Sequence, residues 1–205
     1  MKRREFVTCA LTGLLLPPSV AFARRKRKRV KHPPWAEVQK ANAATLTGIM
    51  TPPKGKKMLQ WDWLIVHHTA AEYASLKGIS SYHAKRFEDP LGIQYHFLIG
   101  NGKKAPRGLI QIARWQHQER AIHLFKPELA PRAVTVCLTG NLEKRKIYKE
   151  EFAALVALGK VLTKGLKIPR DKISTHRGID GRLTQCPGKH FPLTRFKDAV
   201  APIGR

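Results

Sequence analysis

Three features of the sequence predict a single α/β domain: short β-branched apolar runs, one long segment with apolar residues at helical spacing, and turn signals between them. The first run, Trp63-Leu64-Ile65-Val66-His67, has the length and composition of a buried strand. Residues 80–87 suit a short helix, with Ser80 or Ser81 as its N-cap. Residues 93–99 form a second predicted strand, closed by the turn signal Gly100-Asn101-Gly102, and residues 109–113 its hairpin partner. A further strand over 133–138 ends at Thr139-Gly140-Asn141. The clearest helix follows, because Phe152, Leu155, Val156, Gly159, Leu162 and Leu166 fall on one face. A loop over 168–190 and a last helix over 193–200 complete the domain.

The length of 205 residues fits one domain of this kind plus an appendage. No apolar run reaches the roughly 20 residues of a membrane-spanning helix, so the chain does not read as an integral membrane protein. Three cysteines are too few for a disulfide scaffold, and Cys137, inside an apolar strand, reads as a small core residue. The outlying quantity is charge: 39 Lys+Arg against 14 Asp+Glu, a net +25. Such an excess calls for an anionic partner without choosing among nucleic acid, lipid surface and wall polymer.

The appendage divides in two. Residues 1–23 have a basic start (Lys2, Arg3, Arg4), an apolar middle and the small-x-small ending Ala21-Phe22-Ala23, which is the layout of an export signal cleaved after Ala23. Arg3-Arg4-Glu5-Phe6-Val7 resembles a twin-arginine signal, the alternative being a general export signal that holds two arginines. The body is therefore expected outside the cytoplasm, in the periplasm or cell envelope. Residues 24–57 form a basic leader with Pro33, Pro34, Pro52 and Pro53, opening on six consecutive cations at 24–29. It is expected to stay solvated and to favour an anionic envelope surface. A nucleic-acid arm is disfavoured, since no aromatic residue is interleaved in that run to stack on bases. The signal carries +2 and the leader +10, so +13 remains on residues 58–205, and the body is basic in its own right.

Three segments invite joint reading: Val66-His67-His68-Thr69, Thr175-His176-Arg177 and Gln185-Cys186-Pro187-Gly188. A mononuclear catalytic zinc site needs three ligands drawn from His, Cys, Asp or Glu, with a fourth position left for water. Two imidazoles and one thiolate around zinc leave a net +1 centre that can acidify water and polarise a carbonyl. Spacing by itself leaves both such a site and structural roles for the histidines open.

The surrounding words go further. Ile65-Val66-His67-His68-Thr69-Ala70, Tyr82-His83 followed by Gly92-Ile93-Gln94-Tyr95-His96-Phe97-Leu98-Ile99-Gly100, Val136-Cys137-Leu138-Thr139-Gly140-Asn141, His176-Arg177 and Cys186-Pro187-Gly188 occur in one order. In that order they resemble the zinc-dependent N-acetylmuramoyl-L-alanine amidases of the phage-lysozyme and peptidoglycan-recognition-protein type, over about residues 61–196. The resemblance implies a central mixed β-sheet flanked by helices, with peptidoglycan or muropeptides as substrate. It implies Zn2+ held by His67, His176 and Cys186, with Tyr95 beside the metal assisting the reaction. Thr184, two residues before the cysteine, stands at the position of an oxyanion partner, and His123 at that of a cleft histidine contacting substrate. Neighbouring strand residues point to opposite faces, so His68 and His96 are expected to pack or hydrogen-bond on the far side from His67 and Tyr95. His83 reads as helix packing.

The chain also departs from its relatives. Arg132-Ala133-Val134 replaces an Asn-Ser-Ile-like entry to the strand, and the span from His176 to Cys186 is two residues longer than in the phage enzymes. A branch that recycles wall fragments carries Asp in place of Cys186 and a catalytic Glu near Val136, and this chain has neither. The expected activity is hydrolysis of the amide between N-acetylmuramic acid and L-alanine. The alternative is a peptidoglycan-binding module of the same fold without catalysis, a state associated with loss of the cysteine ligand.

Overall fold

The computed structural model describes residues 31–121, 126 and 128–201. The export segment 1–23, the six-cation run and His123 lie outside the described residues. In chain order the main elements are α1 (Trp35–Gly48), β1 (Trp63–His68), α2 (Leu76–Phe87), β2 (Phe97–Ile99), β3 (Ile110–Ile112), β4 (Ala133–Leu138), α3 (Lys149–Leu166), β5 (Ile173–Thr175), α4 (His176–Asp180) and α5 (Leu193–Val200). The five strands form one mixed sheet in the order β3-β2-β4-β1-β5, with only β2 and β3 antiparallel. This is the predicted single α/β domain.

The inner strands β1 and β4 have parallel neighbours and are covered on both faces, which is why their sequences run apolar without alternation. Alternate side chains nonetheless divide between two cores. Leu64, Val66, Phe97, Ile99, Val134, Val136 and Leu138 pack with Leu155, Leu158 and Leu162 of α3 and Phe196 of α5. Gly159 lets the two helices approach, because a Cβ there would meet Val200 Cγ1 at 2.9 Å. On the opposite face Tyr95, Leu98 and Cys137 pack with Ile79 of α2. Cys137 is buried and unpaired with any other cysteine, as its apolar setting predicts.

Local structure differs from expectation in four places. Helix α2 begins at Leu76 rather than near Ser80, because Ser75 adopts extended geometry and its hydroxyl accepts the Gly78 N–H at 3.1 Å. Strand β2 is confined to three residues. Before it, Gln94 N–H donates to His83 Nδ1 (3.0 Å) and so leaves the ladder. The loop predicted over 168–190 contains β5 and the one-turn helix α4. Finally, part of the expected solvated leader is ordered: from Trp35 it forms α1, with Val38 and Asn42 buried against the body.

Helix α1 answers an edge problem. Strand β3 pairs on one side only, and its free edge would expose backbone groups. Asn42 covers that edge like a strand residue: Nδ2 donates to the Gly108 carbonyl (2.8 Å), and Oδ1 accepts the Ile110 N–H (2.9 Å). Trp115 Nε1 then donates to the Ile49 carbonyl just beyond the helix (2.8 Å). Asn42→Ala would leave two buried backbone groups unpartnered, and unfolding in urea is expected to show a loss of about 2–4 kcal/mol. A loss below about 0.5 kcal/mol would mean that water replaces the side chain at this edge.

Candidate active site

Register assembles the site. In β1, His67 lies opposite Cys137 of β4, while Val66 lies opposite Thr175 of β5. His176 follows Thr175 directly, so the two histidines emerge side by side at the C-terminal ends of parallel strands, with ring centroids 4.7 Å apart. Thr175 also starts α4, its hydroxyl accepting the Gly178 N–H at 3.0 Å. Cys186 arrives on the loop after α4. That loop is tied back by Arg177 N–H donating to the Cys186 carbonyl (2.7 Å). Gly188, at φ +106°, presses on the Leu142–Glu143 backbone, where a Cβ would sit 2.2 Å from Glu143 N.

The result is a compact cluster. One ligand atom each of His67, His176 and Cys186 lie within 4.8 Å of one another. Cys186 Sγ is 3.7 Å from His67 Nδ1 and accepts the His68 N–H at 3.2 Å. A tetrahedral zinc with bonds of about 2.3 Å to sulfur and about 2.05 Å to nitrogen would separate such donors by about 3.6 Å. The donor set and its spacing therefore fit zinc. Burial pushes the Cys186 thiol up to about 12, against the opposing His68 N–H, and burial lowers His176 against the pull of Asp180. Both shifts favour the neutral forms, so a thiolate here calls for a cation beside it.

The remaining site residues fall as follows. Tyr95 is buried beside His67, with ring centroids 5.3 Å apart. Its hydroxyl and the Cys137 thiol are hydrogen-bond neighbours, and burial, with Cys137 and Cys186 nearby, holds its pKa well above the usual phenol range. Thr184 is half-buried, and its Oγ1 accepts the Cys186 N–H at 3.1 Å, bracing the cysteine. His68 points away from the cluster and accepts the Leu142 N–H on Nδ1 (3.1 Å). His96 lies against Trp61 and Trp115, with Nδ1 accepting the Thr135 N–H (3.0 Å). His83 does more than pack a helix: it joins Tyr73, Tyr82 and Tyr95 in lining a groove of about 730 Å3 between α2 and the 69–75 loop. Arg132 pairs with Asp62 at the N-terminal end of β4, the opposite end of the strand from this site.

Two residues around the site escaped the sequence reading. Asp180, with a fully buried side chain, places Oδ2 2.8 Å from His176 Nε2; its signal is the His-x3-Asp spacing within a helix. Glu72 holds the groove's loop, accepting from Asn141 N–H (3.0 Å) and Asn101 Nδ2 (3.1 Å) and pairing with Arg145. Nothing in its local sequence marks that role.

Two imidazoles and a thiol thus meet at the strand ends of a mixed sheet, and Tyr95, beside His67, also lines the groove, which defines an α/β protein with a candidate metal site next to a cleft. A family profile described as N-acetylmuramoyl-L-alanine amidase (Amidase_2) matches residues 57–189, and the chain belongs to that family. Among solved structures it is similar to the endolysin N-acetylmuramoyl-L-alanine amidase LysCS from Clostridium intestinale URNW. That match has 25% identity and a TM-score of 0.59, and covers 68% of this chain and 83% of that one. Drosophila peptidoglycan recognition protein SD shares the fold at 21% identity and a TM-score of 0.54, over 69% of this chain and 84% of that one. An AmpD selenomethionine derivative shares it at 16% identity and a TM-score of 0.56, over 74% and 93%. No curated protein sequence matches the chain.

Burial holds His83 at about 4, with the Arg114 charge contributing, and His96 at about 3. Both values lie below the unfolded value near 6.5, so the unfolded chain takes up protons first on acidification. The stability these neutral rings contribute is complete above about pH 6.5 and is lost as pH falls toward the folded values, at about 1.4 kcal/mol per pH unit for each ring. Urea midpoints of metal-free protein are expected to fall steadily from pH 7 to pH 4.5. A flat profile would contradict the buried neutral state of these rings.

Proposed function

We propose that this chain is a zinc-dependent amidase that hydrolyses the bond between the lactyl group of N-acetylmuramic acid and L-alanine in peptidoglycan. The observation that carries the reading is the convergence of His67, His176 and Cys186 within 4.8 Å, in a member of this amidase family. Those three residues would hold the ion. When bound, zinc supplies the Lewis acidity that activates water and polarises the scissile carbonyl. The groove beside Tyr95 would bind and orient the substrate. Tyr95 keeps its proton at neutral pH, so its hydroxyl is a neutral donor for the negative charge that develops on the carbonyl oxygen. Thr184 uses an oxygen lone pair on the Cys186 amide and retains its own proton for the same oxyanion. The Tyr95 hydroxyl is also our candidate to pass a proton to the departing alanine nitrogen.

The reading extends to place and partner. Residues 1–23 would direct export, and the six cations at 24–29 would hold the protein to an anionic envelope surface. The net +13 of residues 58–205 would attract the carboxylates of stem peptides. Among the described residues no helix is long and apolar enough to cross a membrane. The non-catalytic alternative is weakened by the intact cysteine, Cys186.

Digestion of purified wall sacculi tests the activity. Free peptides beginning with L-alanine are expected, with glycan strands intact and about one zinc per chain. Cys186→Ala is expected to lose both zinc and activity. New reducing sugar ends would make the protein a glycosidase, and wall binding without peptide release would make it a recognition module.

A second outcome concerns Tyr95 alone. Tyr95→Phe is expected to lower kcat by roughly 10- to 1,000-fold with KM and zinc content little changed, as for loss of one oxyanion donor. A near wild-type kcat would remove Tyr95 from the reaction.

A further inference from the structure

We infer that Asp180 is a positioning residue of the metal centre: its buried carboxylate is placed to take the Nε2–H of His176 when an ion binds, which commits Nδ1 of that ring to the metal. The inference rests on the zinc reading above and adds a residue to it.

The geometry begins with α4. Thr175 caps its start, and Gly181, at φ +63°, follows its last residue. One turn is enough to put His176 and Asp180, four residues apart, on the same side. Asp180 Oδ2 then lies 2.8 Å from His176 Nε2, with the Asp180 side chain fully buried and that of His176 12% exposed; the pair is at ion-pair distance, and a turn of the ring would line the Nε2–H up on the carboxylate. An ionised carboxylate only accepts hydrogen bonds, and a neutral imidazole carries a single N–H. A proton shared with Asp180 must therefore sit on Nε2, which leaves the lone pair of Nδ1 as the ring's donor to a metal. Cys186 Sγ lies beside the Nδ1 atom of His67, so both rings would offer the same nitrogen to the ion.

Charge supports the same role. Zinc with one thiolate and two neutral imidazoles is a +1 unit, and the site is buried on every ligand side except part of His176. A net charge held in low dielectric is costly unless it is compensated. Asp180 brings the local sum to zero without occupying a coordination position. The negative charge also raises the basicity of the ring it holds, which strengthens the bond from Nδ1.

The test uses the full mature chain, with zinc as the probe in competition with a chromophoric chelator. Asp180→Ala is expected to weaken zinc binding by about 10- to 100-fold. Asp180→Asn, whose amide oxygen still accepts the Nε2–H but lacks the charge, is expected to fall between the two, and it decides the matter if the alanine variant does not fold. The zinc-loaded protein gives a second readout. A downfield, slowly exchanging His176 Nε2–H signal, assigned by its absence in His176→Gln, is expected in wild type and lost in Asp180→Ala. Zinc affinity within about threefold of wild type in both variants, or a wild-type His176 protonated on Nδ1, would overturn the inference while leaving the amidase reading intact. A wild-type chain that binds no zinc would overturn both.

Discussion

The pairing of β1 between two parallel neighbours is the constraint on which the site depends. A strand in that position is buried on both faces, so whatever follows the apolar run is delivered to the sheet's C-terminal rim. In β1 that residue is His67, and the register that sets Val66 against Thr175 delivers His176 beside it. A slip of one residue would turn His67 toward the α3 core and bring His68 into the cleft. The same register sets Cys137 beside His67, so the floor under the ligands is a small, neutral thiol rather than a charged group.

The third ligand is held differently. Cys186 belongs to no strand or helix, and its place is set by bonds from several directions: Arg177 N–H to its carbonyl, its own N–H to Thr184, and His68 N–H to its sulfur. Gly188 then lets the chain lie against Leu142 and Glu143, which His190 and Lys189 fasten through their N–H groups. A loop with this many fixed backbone groups has little freedom left to lose when an ion binds, which is how an irregular segment supplies a preorganised ligand.

The histidines divide by what their backbone neighbours ask of them. His68, His83 and His96 each accept a backbone N–H on Nδ1, from Leu142, Gln94 and Thr135 respectively. Those bonds require a neutral ring, which agrees with the low pKa values that burial imposes on all three. His67 and His176 instead turn toward each other and Cys186. The chain thus separates rings that serve the fold from rings gathered at the cleft, although His67 and His68 are adjacent in sequence.

Much of this was legible in the residues. The β-branched composition of β1 and β4 and the 3.6-residue period of α3 are local signals, and each produced the element it predicted. His67, His176, Cys186 and Tyr95 were singled out by the ordered words around them, and they lie together at one rim. What local pattern could not carry was decided by tertiary contacts. Strand β5 has three residues, too few to display a period, and exists because β1 offers it an edge. Helix α1 reads as leader because prolines and cations flank it in sequence, whereas its reason for folding is the unpaired edge of β3, 66 to 68 positions away in the chain. The Ser75 cap of α2 was hidden because Lys77 and Gly78 interrupt the apolar pattern that Leu76 begins. Asp180 looked like one more polar residue in a loop, since only the turn of α4 and the burial around it set its carboxylate against His176. Sequence determined which residues were chemically able to form this centre, because side-chain type and short-range spacing are properties of the chain itself. Tertiary structure decided which of them meet, because a meeting depends on register and burial between segments more than a hundred residues apart.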